Sequence, residues 1–135
     1  MLFSIIIPSF KNYSYLRITI ESILKNSNHK HQIIVHVNGN DIETVTYLNN
    51  NNIEFTSSKV NLGLCRGVNI ASRLAKTDYI VYAHDDMYFL PEWDQHLKKE
   101  IDLINDTKFY LSSTQIGPLP SAVSYTHLTL PTMFE

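Results

Sequence analysis

Cysteine is nearly absent: Cys65 is the only one in 135 residues. That excludes an internal disulfide framework and fits a reducing compartment. Basic charge is not in excess either, with 11 Lys and Arg against 13 Asp and Glu and a formal net charge of −2. A nucleic-acid binder shows a basic stripe or patch, so nucleic acid is not an expected partner. No apolar run approaches the roughly 18 residues that a membrane span requires. The opening run, Met1 to Ile7, carries no basic leader and is cut short by Pro8, unlike a secretory signal. An internal repeat and a linker-like stretch are also missing. These absences predict a cytoplasmic chain. A longer version would associate with a membrane only peripherally, through regions outside these residues.

What is present suits a folded domain. At 44% hydrophobic and 18% charged, the chain can bury a core, and its length fits one domain of roughly 100–200 residues. Short β-branched runs alternate with periodic segments. Ser4 to Ile7, Gln32 to Val37, Ile53 to Thr56, Tyr79 to Ala83 and Lys108 to Ser113 read as strands. Leu16, Ile20, Ile23 and Leu24 recur at helical spacing, as do Ile42, Val45 and Leu48. So do Leu64, Val68, Ala71, Leu74 and Ala75, and then Trp93, Leu97, Ile101 and Ile104. Gly63 is the turn before the third helix, and Pro91 suits the first turn of the fourth. Alternation of strand and helix predicts an α/β fold, a three-layer sandwich whose central sheet is mostly parallel with helices on both faces.

The end of the chain reads differently. Residues 123–132, Val-Ser-Tyr-Thr-His-Leu-Thr-Leu-Pro-Thr, match the conceptual translation of a transposon-end adapter used in sequencing libraries. An ordinary edge strand would also accommodate Tyr125, Leu128 and Leu130, with Pro131 tolerated there. The ordered match favours the adapter, with a junction near Ser121–Ala122. The expected organisation is a partial domain over residues 1–121 and a non-native tail over 122–135. The sheet is then incomplete at its carboxyl end.

Open parallel sheets bind ligands outside the carboxyl ends of their strands. At those ends the sequence collects Pro8-Ser9-Phe10-Lys11-Asn12, Asn38-Gly39-Asn40-Asp41, Ser57-Ser58-Lys59-Val60-Asn61 and His84-Asp85-Asp86. The first three are ordinary polar loops in composition. The fourth is not, because adjacent carboxylates leaving a buried strand repel and lose solvation unless a cation or donors satisfy them. Such oxygen ligands suit Mg²⁺ or Mn²⁺ shared with phosphate; an acidic cluster ahead of the Pro91 helix is the alternative reading. Arg66, in the first turn after Asn61-Leu62-Gly63, is either solvated or aimed at a nucleotide base or phosphate. His29, His31 and His36 have no carboxylate or cysteine completing a zinc set and read as structural or surface residues. Surface pairing with Glu92 is the expectation for His96, and Cys65 has no base partner at motif spacing.

Taken in order, Ser4 to Phe10, Ile20 to Leu24, Ile33 to Asn40, Asn61 to Gly63 with Arg66 and Asn69, Tyr79 to Asp86, and Leu90-Pro91-Glu92-Trp93 resemble the opening of family-2 glycosyltransferases of the GT-A fold. The likeness runs from residue 3 to about residue 118. It implies a hexosyltransferase-type enzyme that moves a sugar from a nucleotide-diphosphate sugar to a hydroxyl of a glycan, lipid-linked or other acceptor, usually with inversion. By this resemblance Pro8, Ser9 and Phe10 lie against the nucleotide, Asn38 follows the second strand at the base or ribose, and Gly63 and Arg66 lie near the base. His84 and Asp85 fall in the Asp-x-Asp-like element that binds ribose and metal. Asp86, with Asp85 beside it, is the implied ligand of Mg²⁺ or Mn²⁺ on the diphosphate. That cation would neutralise charge on the departing nucleoside diphosphate. The general base of such enzymes normally lies beyond the fifth strand. No catalytic residue is therefore assigned, and the fragment is expected to bind donor weakly without turnover.

Two positions depart from the family pattern. Val37 stands where an aspartate is usual, and His84 occupies the first acidic position of the Asp-x-Asp-like element. A degenerate, non-catalytic nucleotide-binding module of the same fold is thus the alternative function. A sugar-phosphate nucleotidyltransferase would carry a Gly- and Arg-rich loop after the first strand. A receiver domain would need an acidic pair there and an aspartate after the third strand. Neither pattern is present.

Overall fold

The structure is a computed structural model that describes residues 1–113. Its elements follow in order as β1 (Phe3–Ser9), α1 (Tyr13–Asn26), β2 (Gln32–Asn38), α2 (Ile42–Asn50), β3 (Glu54–Ser58), α3 (Leu64–Ser72), β4 (Tyr79–Tyr82) and α4 (Trp93–Leu103). The chain divides into two compact units, Met1–Lys98 and Lys99–Glu135. The sheet and all the candidate site residues belong to the first.

All residues of β1 and β2 are buried, because both strands lie inside the sheet. The spatial order is β3-β2-β1-β4, and every pairing is parallel. The chain thus steps from β1 outward to β3 and then crosses back over two strands to β4. Right-handed crossovers put α1 and α2 on one face and α3 on the other. Val68 and Ala71 of α3 accordingly pack on Ile6 and Ile34. Leu16, Ile20 and Ile23, the predicted stripe of α1, are fully covered, while Leu24 at the margin of that stripe is exposed.

The sequence places the end of the first strand at Pro8, yet β1 runs on to Ser9. Pro8 and Ser9 remain in register with His36 and Val37 of β2. Residues of a strand alternate the edge to which they offer N–H and C=O. The Ile6 carbonyl accepts the Ala83 N–H at 3.0 Å, so Ile6 and, two residues on, Pro8 address the β4 side. The β1–β4 ladder has ended by then, with Ile6 opposite Tyr82. The missing N–H of Pro8 therefore falls where no ladder bond is needed.

In the second unit, Asp106 Oδ1 accepts the Lys108 N–H at 3.0 Å. The expected strand over Lys108–Ser113 is not formed among the described residues, where Tyr110 makes only an isolated bridge. A short apolar run becomes a strand only beside a ladder partner, and hydropathy does not report whether one exists. The Ser121–Ala122 junction and the tail over 122–135 lie outside the described residues.

Candidate functional site

The strand order reverses between β1 and β4, and the carboxyl ends of those two strands define the topological switch point of the sheet. There the Ser9 hydroxyl donates to Asp85 Oδ2 at 2.8 Å. Ser9 is buried as the last residue of β1, and Asp85 is half-buried in the turn after β4. Of the two adjacent carboxylates, then, one is held by a hydroxyl donor. Asp86 is exposed, with no hydrogen-bond partner among the described residues.

The acidic turn is anchored on both flanks. Ahead of it, the Ala83 N–H prolongs the pairing with β1, and Ala83 is buried. The His84 N–H meets Met87 Sδ at 3.2 Å, and the His84 ring stands edge-on to Tyr82. Beyond the turn, the chain is pinned to the carboxyl end of α1. Ser22 Oγ accepts the Phe89 N–H at 2.9 Å, Asn26 Nδ2 donates to the Phe89 carbonyl at 2.6 Å, and Trp93 Nε1 donates to Ser27 Oγ at 3.0 Å. Asp94 then accepts the N–H groups of Asn28 and His29 and meets His31 Nε2 at 2.9 Å.

The other strand ends supply a second group of residues. Phe10 is half-exposed, and its ring lies over Gly39, where an added Cβ would come within 3.4 Å of Phe10 Cε1. Gly39 has a positive φ of 74°, so it is the backbone of this turn that calls for glycine. Asn38 is 3% exposed. Its Oδ1 accepts the Leu62 N–H at 3.1 Å and lies 3.3 Å from Ser58 Oγ. Gly63 turns the chain into α3 with φ 84°, and Asn61 Oδ1 accepts its N–H at 2.9 Å. Arg66 is exposed in the first turn of α3, without a hydrogen-bond or ion-pair partner among the described residues.

The structure thus joins Ser9 to Asp85, packs Phe10 on the loop that follows Asn38, and links Asn38 to the segment leading to Gly63 and Arg66. No described hydrogen bond or ion pair joins Arg66 to the acidic turn. Among the described residues no group of three or more His, Cys, Asp and Glu forms a metal cage. The Asp85–Asp86 pair offers one or two carboxylates, the number Mg²⁺ commonly takes from protein when phosphate and water complete its shell.

Sequence reasoning missed the polar ladder beneath α3. His36 is buried and meets Thr56 Oγ1 through Nδ1 at 2.7 Å and Ser58 Oγ through Nε2 at 3.3 Å. Burial pushes its imidazole below the ordinary histidine range. The signal was the two-residue spacing of His36 and Asn38 against that of Thr56 and Ser58, but it becomes readable only in the parallel register His36↔Thr56 and Asn38↔Ser58. Away from the switch point, an open groove of about 290 Å³ is lined by Tyr13, Glu43, Thr46, Tyr47, Asn50 and Asn51.

Comparison with known proteins agrees with this architecture. The family profile described as Glycosyl transferase family 2 matches residues 4–117. The chain belongs to glycosyltransferase family 2. Its fold is shared with solved structures of TarS from S. aureus. TarS residues 1–349 align at a TM-score of 0.68 and 19% identity, covering 76% of this chain and 32% of that one. The same protein in complex with UDP aligns at 0.71 and 18% identity, covering 88% of this chain and 38% of that one. Its complex with UDP-GlcNAc gives 0.71 and 18%, covering 88% and 37%. This family-2 chain therefore spans about a third of the length of those TarS structures. No curated protein sequence matches it. Among the described residues, no helix is long and apolar enough to cross a membrane.

Proposed function

We propose that this chain is the donor-binding part of a glycosyltransferase that transfers a sugar from a nucleotide-diphosphate sugar, with uridine as its base, to an acceptor hydroxyl. The observation that carries this reading is the Ser9–Asp85 hydrogen bond at the β1/β4 switch point, where open α/β sheets receive nucleotides. Family membership and the UDP and UDP-GlcNAc complexes of the TarS fold relatives support it.

In this reading Ser9 holds Asp85 at the rim of the cleft, and Asp86 faces the diphosphate. Mg²⁺ or Mn²⁺ held by Asp86, with Asp85 beside it, supplies charge neutralisation for the departing nucleoside diphosphate. Phe10 and the loop after β2 line the nucleotide side of the cleft, and Arg66 offers its guanidinium to base or phosphate. His84 flanks the ribose. Transfer proceeds with inversion, its general base is supplied from outside these residues, and the 135-residue chain alone does not turn over. The acceptor is a glycan, a lipid-linked sugar or another hydroxyl, and any membrane association is peripheral and runs through other regions.

The test is calorimetric titration of UDP into the chain with Mg²⁺ or Mn²⁺ and again with EDTA. The reading expects binding that the cation strengthens and that Asp86→Asn weakens about tenfold, the loss of one charge-assisted contact. A second reading, a degenerate nucleotide-binding module, is favoured by Val37, which is 1% exposed where the family usually carries an aspartate. UDP binding indifferent to cation and to Asp86→Asn would select it.

A further inference from the structure

We infer that His36 and Asn38 are positioning residues that hold the segment Lys59–Gly63, and with it the Arg66 end of α3, in the conformation that receives the nucleotide. This rests on the nucleotide-sugar reading above and assigns Asn38 an indirect role within it. Asn38 is buried, and its amide oxygen is already taken by the Leu62 N–H at 3.1 Å, with Ser58 Oγ 3.3 Å away. An oxygen so occupied does not present itself to a ligand. It fixes the backbone two residues before α3 begins.

The hydrogen-bond directions in the ladder can be derived from its chemistry. Ser58 has one hydroxyl proton, and its shortest acceptor is the Val60 carbonyl at 2.7 Å. With that proton on Val60, Ser58 Oγ is free to accept from His36 Nε2–H at 3.3 Å. His36 Nδ1 is then the acceptor of the Thr56 hydroxyl at 2.7 Å. A neutral imidazole has one donor and one acceptor nitrogen and satisfies this sequence completely. Bonds therefore run in one direction from Thr56 through His36 and Ser58 to the Val60 carbonyl, while Asn38 takes the Leu62 amide. Both contacts land on the segment that feeds α3.

Helix α3 sits directly on this ladder. A Cβ at Gly67 would come within 2.8 Å of His36 Cδ2 and 3.3 Å of Asn38 Nδ2. The Gly67 N–H closes the first helical turn on the Gly63 carbonyl at 3.2 Å. Arg66 is the residue immediately before this contact. Its backbone is thus located by a turn that rests on His36 and starts from a strap tied to Asn38, and its exposed side chain is left for ligand.

The experiment compares the 135-residue chain with its Asn38→Ala and Asn38→Asp variants, reading Leu62 amide hydrogen exchange and UDP affinity in Mg²⁺. Removing the acceptor should speed Leu62 exchange and raise the UDP Kd, each about tenfold, as expected for one lost hydrogen bond. Asn38→Asp, which keeps an acceptor oxygen, should hold both near the parent values. Faster exchange with unchanged UDP affinity overturns the positioning role and leaves nucleotide binding intact. Weaker UDP binding with unchanged exchange also overturns it, making Asn38 a direct contact. Absence of UDP binding by the parent chain brings down the nucleotide reading and this inference together, while Leu62 exchange still reports the strap. If Asn38→Ala does not fold, Ser58→Ala, which removes the donor to Val60, is read in the same two ways.

Discussion

Ser9 and Asp85 lie 76 residues apart in sequence and are joined at 2.8 Å by a hydroxyl-to-carboxylate hydrogen bond. The bond ties the end of β1 to the acidic turn that follows β4, just past the point where their ladder stops. It distinguishes two neighbouring carboxylates: Asp85 is held by the Ser9 hydroxyl, and Asp86 is exposed with no hydrogen-bond partner among the described residues. Ser9→Ala leaves the half-buried carboxylate without this donor, and unfolding free energy should fall by about 1–2 kcal/mol. Urea titration measures it, and Ser9→Thr should recover most of the loss. A change under about 0.5 kcal/mol would be ordinary for a surface site and would contradict the anchoring role.

Gly67→Ala sets two effects against each other. Helix propensity alone favours alanine by about 1 kcal/mol. The new methyl, however, would stand 2.8 Å from His36 Cδ2, and the imidazole is buried and bonded at both nitrogens. Overpacking of this kind costs about 1–3 kcal/mol, so a net destabilisation is expected as a lower urea midpoint. A more stable variant would show that α3 does not approach the sheet so closely.

Stability should decline in mild acid through His31. Its Nδ1 accepts the Phe3 N–H at 3.3 Å and its Nε2 meets Asp94 at 2.9 Å, an arrangement that a neutral ring with Nε2–H satisfies. Burial pushes His31 below its ordinary value of 6.5, against the raising effect of Asp94. A lowered histidine takes up fewer protons folded than unfolded, so its contribution is complete above pH 6.5 and shrinks as pH falls below it. His36 acts in the same direction. For Asp94, burial would raise the carboxyl, but the Asn28 and His29 amides and His31 outweigh it and hold it below 3.8. Its contribution is present above pH 3.8 and lost as pH falls further, through its folded value. Urea midpoints should therefore drop between pH 7 and pH 5, with a second loss below pH 3.8. His31→Gln should flatten the first decline, and an unchanged slope in that variant would contradict the assignment.

Much of the fold was legible because its strands are short apolar runs bounded by polar turns. The stripe Leu16, Ile20 and Ile23 located α1, and Gly63 marked the start of α3. Pro8 misled the reading of β1, since a proline ends a strand only where its N–H would have been used, and that depends on where β4 stops. The run Lys108–Ser113 misled it too, because the isolated bridge at Tyr110 is not extended into a ladder among the described residues. At the site, strand-end logic brought Ser9 and Asp85 to one edge of the sheet, but not their bond. Asn38 is expected from sequence at the base or ribose, and only the folded chain shows that its oxygen accepts the Leu62 N–H. His31 and Asp94 lie 63 residues apart, with no spacing that could pair them in advance.

Amide NMR of the chain during titration with UDP and Mg²⁺ tests the central claim most directly. If the β1/β4 cleft receives the nucleotide, resonance shifts should concentrate at Ser9 and Phe10, at Asn38 and Gly39, from Gly63 to Arg66, and from His84 to Asp86. They should diminish when EDTA removes the cation. No shifts at millimolar UDP, or shifts confined to the Tyr13–Tyr47 groove, would contradict the account.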